Sequence, residues 1–112
     1  MRLRHTVAAG LGAVALALSV AAPAGAATGE FSYTYETPGG PQRAILADPP
    51  SRECVTLPGV AEWTPPAHSP RNHTDSTAVV FTGPDCTGDH FSLRPHTGHG
   101  SERLKVRSVL FS

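Results

Sequence analysis

The chain has 112 residues, with nine basic side chains, nine acidic side chains and a net charge of zero when the histidines are neutral. This length suits one small domain. The balanced charge gives no electrostatic reason to expect nucleic acid or an anionic membrane as a partner.

The N-terminal residues have the pattern of a secretory signal peptide. Three basic residues open the chain: Arg2, Arg4 and His5. An apolar run follows over residues 7–22, and Ala24 and Ala26 supply the small-residue pattern of a cleavage site. We predict cleavage after Ala26, with cleavage after Ala27 as the alternative. A transmembrane anchor is a further alternative, but the run is shorter than the roughly 20 apolar residues that span a bilayer.

Cleavage after Ala26 gives a signal peptide, residues 1–26, and one mature domain, residues 27–112. Seven basic and nine acidic side chains remain, so the mature domain has a net charge of −2. No later segment has the length and apolar character of a membrane span. We therefore predict a secreted, extracellular protein, of bacterial type by its leader and its composition.

Alternation and turn residues predict three strands in the first half of the mature domain. Phe31, Tyr33 and Tyr35 alternate with polar residues, which predicts a strand with one aromatic face. We interpret this face as part of a sandwich core, with a ligand platform as the alternative. Beyond it we predict a turn at residues 37–41 and a return strand at residues 43–47. A break at residues 48–51 then leads to a short third strand at residues 53–57.

A proline-rich segment from Pro58 to Pro70 is predicted to be irregular, because proline cannot donate a hydrogen bond within a central strand. It contains Trp63, the one tryptophan of the chain. We expect this side chain to plug the end of the sandwich, with display to a partner as the alternative. The segment is the candidate partner-binding loop, and its candidate contact residues are Trp63, Pro65, Pro66 and His68.

A turn predicted at Asn72, Asp75, Ser76 and Thr77 connects the two halves. Two strands are then predicted around a tight fold-back. The first includes Val79 and Phe81 on one face, and the second includes Phe91 and Leu93. The fold-back contains Gly83, Pro84 and Asp85, and Gly88 is expected to take a backbone conformation that favours glycine.

Cys54 and Cys86 are the two cysteines of the chain. An exported protein with an even number of cysteines is expected to form disulfides, and two cysteines allow a single intramolecular pairing. We predict a Cys54–Cys86 bridge that stabilises the fold by roughly 3–4 kcal/mol.

The segment from Pro95 to Ser101 is predicted to be a flexible, glycine-containing loop. His90, His96 and His99 lie near it in sequence, which raises zinc binding as an alternative. We interpret them as solvated loop histidines and predict no metal site.

The apolar residues near the C-terminus change from even to odd positions: Leu104 and Val106 are followed by Val109 and Phe111. In one continuous strand these two pairs would lie on opposite faces. We therefore predict a bulge or a short helical turn over residues 102–106, followed by a strand over residues 107–111.

The last third of the chain resembles the Greek-key motif of the βγ-crystallins. The family pattern of two aromatic residues, a glycine and a late serine falls on Phe81, Cys86, Gly88 and Ser108, with Cys86 in place of the second aromatic residue. The resemblance implies an all-β fold, a small Greek-key β-sandwich with two motifs. It also implies that Ser108 makes a hydrogen bond to the folded hairpin.

Many microbial members of that superfamily bind calcium, and the resemblance places the ligand positions at Arg103, Leu104 and Arg107. None of these side chains is an oxygen ligand. The equivalent window in the first half, Thr64 to Ser69, also lacks a carboxylate. We predict no tight calcium site and no cofactor.

No motif for a nucleophile, a catalytic metal or a phosphate loop is present, so we predict that the protein is not an enzyme. The sequence favours a secreted, monomeric, non-catalytic module that binds an unknown extracellular protein or has a role in the cell envelope. The alternative is a secreted peptidase inhibitor, with a metalloprotease as target. Peptidase-inhibitor and killer-toxin-like relatives in the superfamily make such a role plausible, and the loops at Pro58–Pro70 and Pro95–Ser101 are the available contact segments.

Overall fold

The computed structural model describes residues 25–112, so the predicted signal peptide lies outside the described residues except for Gly25 and Ala26. Eight strands and one short 3-10 turn, at Pro84–Cys86, form this part of the chain. The strands are β1 Gly29–Thr37, β2 Gly40–Ala47, β3 Cys54–Thr56, β4 His68–Thr74, β5 Ala78–Phe81, β6 His90–Leu93, β7 Gly98–His99 and β8 Ser108–Phe111. Between residues 25 and 112, no helix has the length and apolar character needed to cross a bilayer.

The strands form two antiparallel four-stranded sheets, so the all-β prediction is confirmed. The first sheet has the order β2-β1-β4-β7, and the second has the order β3-β8-β5-β6. Each sheet therefore contains three strands from one half of the domain and one strand from the other half. Strand β3 joins the second half, and β7 joins the first.

The aromatic stripe of β1 forms the centre of the core, as predicted. Phe31 and Tyr33 are fully buried, and Tyr35 is partly buried against the same cluster. Phe31 meets Phe111 of the second sheet edge to face, with ring centroids 5.4 Å apart, so this pair joins the two sheets. Strands β1 and β2 form a hairpin around the two-residue turn at residues 38–39.

The prediction that the proline-rich segment stays irregular as far as Pro70 is wrong. Strand β4 begins at His68 and lies between β1 and β7. Pro70 is tolerated in this central strand because a bulge precedes it. Ser69 has a φ of 53°, and the pairing with β1 shifts between Ser32 and Thr34.

The placement of Asn72 in a connecting turn is also wrong, because Asn72 lies inside β4 and is fully buried. Its Nδ2 atom lies 2.8, 3.1 and 3.0 Å from the carbonyl oxygens of Ser76, Leu93 and Arg94. Its Oδ1 atom accepts hydrogen bonds from the amide and the hydroxyl of Thr74. One amide side chain therefore fixes β4, the following turn and the end of β6.

Replacement of Asn72 by alanine is expected to lower the free energy of unfolding by about 2–4 kcal/mol, because it leaves one buried and two partly buried carbonyl groups without this donor. Urea unfolding followed by circular dichroism measures the change. The matched control is His73→Ala at the exposed neighbouring position. Equal stability of the two variants would show that the amide is not a structural centre.

The predicted hairpin is present in the second sheet as β5 and β6. The face of β5 that enters the core is the one opposite Val79 and Phe81. Ala78 and Val80 are fully buried, whereas Val79 and Phe81 are partly exposed. On β6, Leu93 is buried, and Phe91 has 47% of its surface exposed.

The fold-back of this hairpin is fixed by three features. Cys54 and Cys86 form the predicted disulfide. Gly88 has a φ of 84°, and a Cβ atom there would lie 2.4 Å from the Thr82 hydroxyl, so a side chain is excluded. Ser108 Oγ accepts a hydrogen bond from the Cys86 amide at 2.8 Å and donates one to the Gly83 carbonyl at 2.7 Å.

The Ser108→Ala variant is expected to lose about 1–2 kcal/mol of stability, because both hairpin groups lose their partner at a fully buried position. Thermal unfolding of this variant and of Ser112→Ala, an exposed serine near the same terminus, provides the comparison. Identical melting temperatures would contradict the assigned role of Ser108.

The predicted break before the last strand is present, and strand β8 begins at Ser108. The turn at residues 102–103 lies before Leu104, and the change of phase falls at a bend at Arg107, between the fully buried Val106 and Val109. The prediction of a flexible loop from Pro95 to Ser101 is wrong, because Gly98–His99 forms β7 and pairs with β4. The backbone is closely packed there, since a Cβ on Gly98 would lie 2.5 Å from the Arg94 amide nitrogen.

Candidate functional site

Trp63 is 86% exposed, so the expectation that it plugs the sandwich is wrong and the alternative, display at the surface, describes its position. It lies in the segment between β3 and β4. We define the Trp63 loop as residues 57–67. The other large apolar side chains with high exposure, Ile45 and Phe91, are 56% and 47% exposed. Trp63 is therefore the most exposed large apolar group among residues 25–112.

The two ends of the Trp63 loop are attached to two adjacent residues, Val106 and Arg107. The Leu57 amide donates a hydrogen bond to the Arg107 carbonyl at 3.1 Å. Ala67 exchanges two backbone hydrogen bonds with Val106, at 2.9 and 2.8 Å. Leu57 and Ala67 are buried, so the loop has a short and closed base.

A first turn stiffens the loop near its start. The Val60 amide donates to the Leu57 carbonyl, with Pro58 and Gly59 at the turn's two central positions. Gly59 has a φ of 84°, as the third residue of a type II turn requires. A Cβ atom on Gly59 would lie 2.7 Å from the ring of Tyr35, so glycine also permits close packing on β1.

A second turn carries the tryptophan. The Thr64 amide donates to the Ala61 carbonyl at 3.1 Å, and the Thr64 hydroxyl accepts from the Ala61 amide at 2.8 Å. Arg107 Nη1 also donates to the Ala61 carbonyl. Glu62 and Trp63 form the exposed tip. The backbone below the indole ring is therefore fixed by hydrogen bonds, while the ring itself faces solvent.

Arg107 supports the Trp63 loop, a role that the sequence did not indicate. The resemblance placed it at a position of a calcium-ligand hydroxyl, but its guanidinium supports the Trp63 loop across a separation of 46 residues. Only the three-dimensional pairing of the loop with residues 106–107 reveals this contact.

The structure separates the four candidate contact residues into two groups. Pro65, Pro66 and His68 line a cleft of about 560 Å³, and Trp63 does not contribute to it. The other lining residues are Glu36, Pro41, Glu102 and Lys105. The proline side of the loop therefore borders a concave surface, and the tryptophan is at the convex tip.

A chain of polar groups that the sequence did not indicate lies at this cleft. His68 Nε2 is 2.9 Å from Glu36 Oε2, and His68 Nδ1 is 2.9 Å from Ser69 Oγ. A serine, a histidine and a carboxylate in such a chain also occur in enzymes that transfer acyl groups. Those enzymes need, in addition, hydrogen-bond donors near the serine that stabilise an oxyanion. The Ser69 amide donates to the Ser101 carbonyl, and the next residue, Pro70, has no amide hydrogen. These two positions therefore supply no oxyanion donor.

The three loop histidines lie on different elements: His90 on β6, His96 in a turn and His99 on β7. Within residues 25–112, no group of three or more His, Cys, Asp or Glu side chains has an arrangement that could hold a metal ion.

Tyr33 links the core to the Trp63 loop, since its hydroxyl donates a 2.7 Å hydrogen bond to the Pro58 carbonyl. Burial, with a smaller contribution from Tyr35, raises the pKa of Tyr33 far above its ordinary value. Folding therefore favours the neutral phenol. This contribution to stability is complete below the pKa of the unfolded state, about 10, and decreases as the pH rises above it.

The free energy of unfolding is expected to fall from about pH 10 to about pH 12, and more steeply for the native protein than for Tyr33→Phe. The variant loses one hydrogen bond and is expected to be about 1 kcal/mol less stable at neutral pH. Denaturant unfolding at each pH measures both effects. Parallel pH profiles would contradict the assignment.

Comparisons of the chain with models of known protein families, with curated proteins and with solved structures found no match.

Proposed function

We propose that the protein is a secreted, non-catalytic, disulfide-stapled β-sandwich module that binds an extracellular protein through the Trp63 loop. The observation that carries the proposal is the 86% exposed Trp63 on a turn fixed by hydrogen bonds. Tryptophan is among the residues that contribute most to protein–protein binding, and exposure of its ring to water is unfavourable in the free protein.

The rigidity of the loop supports binding. A partner has to order only the side-chain torsions of Trp63, because the backbone of residues 57–67 already has a defined conformation. The Cys54–Cys86 disulfide adds to this order, since the loop lies inside the segment that the disulfide closes.

Export is supported by the predicted signal peptide and by the disulfide, which is compatible with an extracellular protein. Ala27 is 1% exposed, and its amide donates to the Pro49 carbonyl at 2.8 Å. Cleavage after Ala26 would keep these contacts in the mature protein, whereas cleavage after Ala27 would remove them.

We further infer that the sandwich is of the βγ-crystallin Greek-key type. Strands β1–β4 form one half of the domain and β5–β8 the other, and the third strand of each half joins the sheet of the other half. Read from its opposite edge, the second sheet has the order β6-β5-β8-β3, which matches β2-β1-β4-β7 strand for strand. The two hydrogen bonds of Ser108 to the hairpin support the same inference.

The binding proposal is tested with a photo-reactive amino acid at position 63 of the exported protein. We expect one extracellular protein to cross-link there and not to the same probe at the exposed Ile45. The purified partner is then titrated with the native protein and with Trp63→Ala. We expect at least a thirtyfold loss of affinity, about 2 kcal/mol, with an unchanged melting temperature.

An exposed phenylalanine provides a matched control, since Phe91→Ala removes a partly exposed ring from a different strand. Its affinity is expected to equal that of the native protein. Equal affinity of the Trp63→Ala variant, or cross-links that do not depend on the probe's position, would contradict the proposal.

Peptidase inhibition is the second candidate, and the stiff loop inside a disulfide-closed segment is the observation that favours it. The two turns at residues 57–60 and 61–64 make it the weaker candidate, because they leave little extended backbone for a protease cleft. Thermolysin-type and subtilisin-type proteases are incubated with the native protein, and residual activity and Trp63 fluorescence are recorded. Stoichiometric inhibition that Trp63→Ala abolishes would favour the inhibitor over the general binding module.

A further inference from the structure

We propose that Arg71, His73, Thr97 and His99 form a binding site for the oxyanion of a sulfate or phosphate group. These four residues line a concavity of about 170 Å³ on the solvent-facing side of the first sheet. Three of them carry basic side chains and the fourth carries a hydroxyl. The site is separate from the Trp63 loop, so it does not depend on the proposed function.

Strand pairing brings the basic groups together. Arg71 of β4 and His99 of β7 are direct cross-strand partners. His73 lies two residues after Arg71 and therefore on the same face of β4. All three side chains are exposed. Neighbouring positions of a sheet place Cβ atoms about 4.5–7 Å apart, a spacing at which two or three basic groups can contact one oxyanion.

A second concavity continues the site. It has a volume of about 480 Å³ and shares Thr97 and His99 with the first. Its other lining residues are Ser92, Leu93, Arg94 and Gly98. Arg94 adds a second guanidinium and Ser92 a second hydroxyl. No carboxylate lines either concavity, although the mature domain has more acidic than basic residues.

The surrounding charges leave the arginines available to a ligand. Within residues 25–112, the one close contact between a basic and an acidic side chain joins His68 and Glu36, at the other end of β4. On β1, Ser32 lies opposite Arg71, and its hydroxyl accepts a 2.8 Å hydrogen bond from Arg43. The neighbouring position on β1 therefore brings the guanidinium of Arg43, and no carboxylate, towards Arg71.

Two carboxylates border the site. Glu30 is the cross-strand partner of His73. Asp75 lies beside His96 and accepts a hydrogen bond from the Thr28 amide at 2.9 Å, which lowers the pKa of Asp75 and keeps it charged. Neither residue lines the two concavities, so they limit the extent of the basic surface without filling it.

His99 is oriented by a local hydrogen bond. Its Nδ1 atom lies 3.2 Å from the Thr97 carbonyl oxygen, which can only accept, so Nδ1 carries the hydrogen. Nε2 is then the atom that gains a proton when the ring becomes charged. A protonated His99 thus presents an additional donor at Nε2, and anion binding is expected to strengthen as the pH falls.

The backbone around the site is fixed. The Gly98 amide donates to the Arg94 carbonyl, and the Gly100 amide donates to the Pro70 carbonyl, at 3.0 and 2.9 Å. The buried Asn72, between Arg71 and His73 in sequence, holds the Arg94 carbonyl at 3.0 Å. A ligand therefore meets side chains on a rigid frame, which reduces the entropy lost on binding.

The test uses sodium sulfate, whose charge does not change between about pH 5.5 and 8, the range in which histidines titrate. Histidine ring resonances are followed by NMR in the native mature protein at constant ionic strength, with chloride as the replacement ion. We expect saturable shifts of His73 and His99, with His68 and His90 as internal controls that do not move. Binding should be at least threefold tighter at about pH 5.5 than at pH 8.

Arg71→Ala is expected to weaken sulfate binding about tenfold, because charged hydrogen bonds to the oxyanion are lost. The matched control is Arg52→Ala, which removes an exposed arginine from the segment before β3 and should leave the affinity unchanged. Phosphate and heparin are titrated in parallel. Tighter binding of phosphate points to a phosphorylated ligand, and tighter binding of heparin points to a sulfated polysaccharide. Shifts that do not saturate, equal shifts of all four rings, or equal weakening by the two arginine variants would overturn the proposal.

Discussion

Three consecutive residues, Val106 to Ser108, hold together parts of the chain that are distant in sequence. Val106 pairs with Ala67, and the Arg107 carbonyl accepts from Leu57, so these two residues close the base of the Trp63 loop. The Arg107 guanidinium fixes the turn below Trp63, and the Ser108 hydroxyl fixes the hairpin that contains Cys86. Since Cys86 is bonded to Cys54 at the start of β3, the loop and the hairpin are attached to one frame. The exposed tryptophan is therefore supported by the buried polar contacts and the cross-link that also stabilise the second sheet.

Features with a local cause could be predicted from the sequence. Alternation of aromatic and polar residues indicated β1, and the Pro38–Gly39 turn indicated its hairpin with β2. The change of parity between Val106 and Val109 required a break before the last strand, since one continuous strand cannot bury both. The disulfide followed from the number of cysteines and the predicted export. In each case the necessary information lies within a few residues or in a pairing without alternatives.

The features that could not be predicted depend on partners far along the chain. Asn72 resembles a turn residue by type, but the carbonyl groups that it satisfies belong to Leu93 and Arg94, more than 20 positions away. Pro70 is compatible with a central strand only because a bulge at Ser69 shifts the pairing. Hydrophobicity alone predicts that Trp63 avoids water. Its exposure follows from two turns that Gly59, Thr64 and Arg107 fix together, and no local pattern contains that information.

Strand β4 explains how one small domain can carry two independent surfaces. His68 at its start lines the cleft beside the Trp63 loop, and Arg71 and His73 near its end line the basic concavity. About 16 Å of extended chain separate His68 from His73, and the bulge at Ser69 lies between them. The two surfaces have different chemistry, because one presents an apolar ring at a convex tip and the other presents basic groups around a depression. A protein ligand at the first surface and an anionic group at the second would therefore not compete for the same side chains. What the two surfaces share is the buried face of β4, where Asn72 and Thr74 hold the strand in place for both.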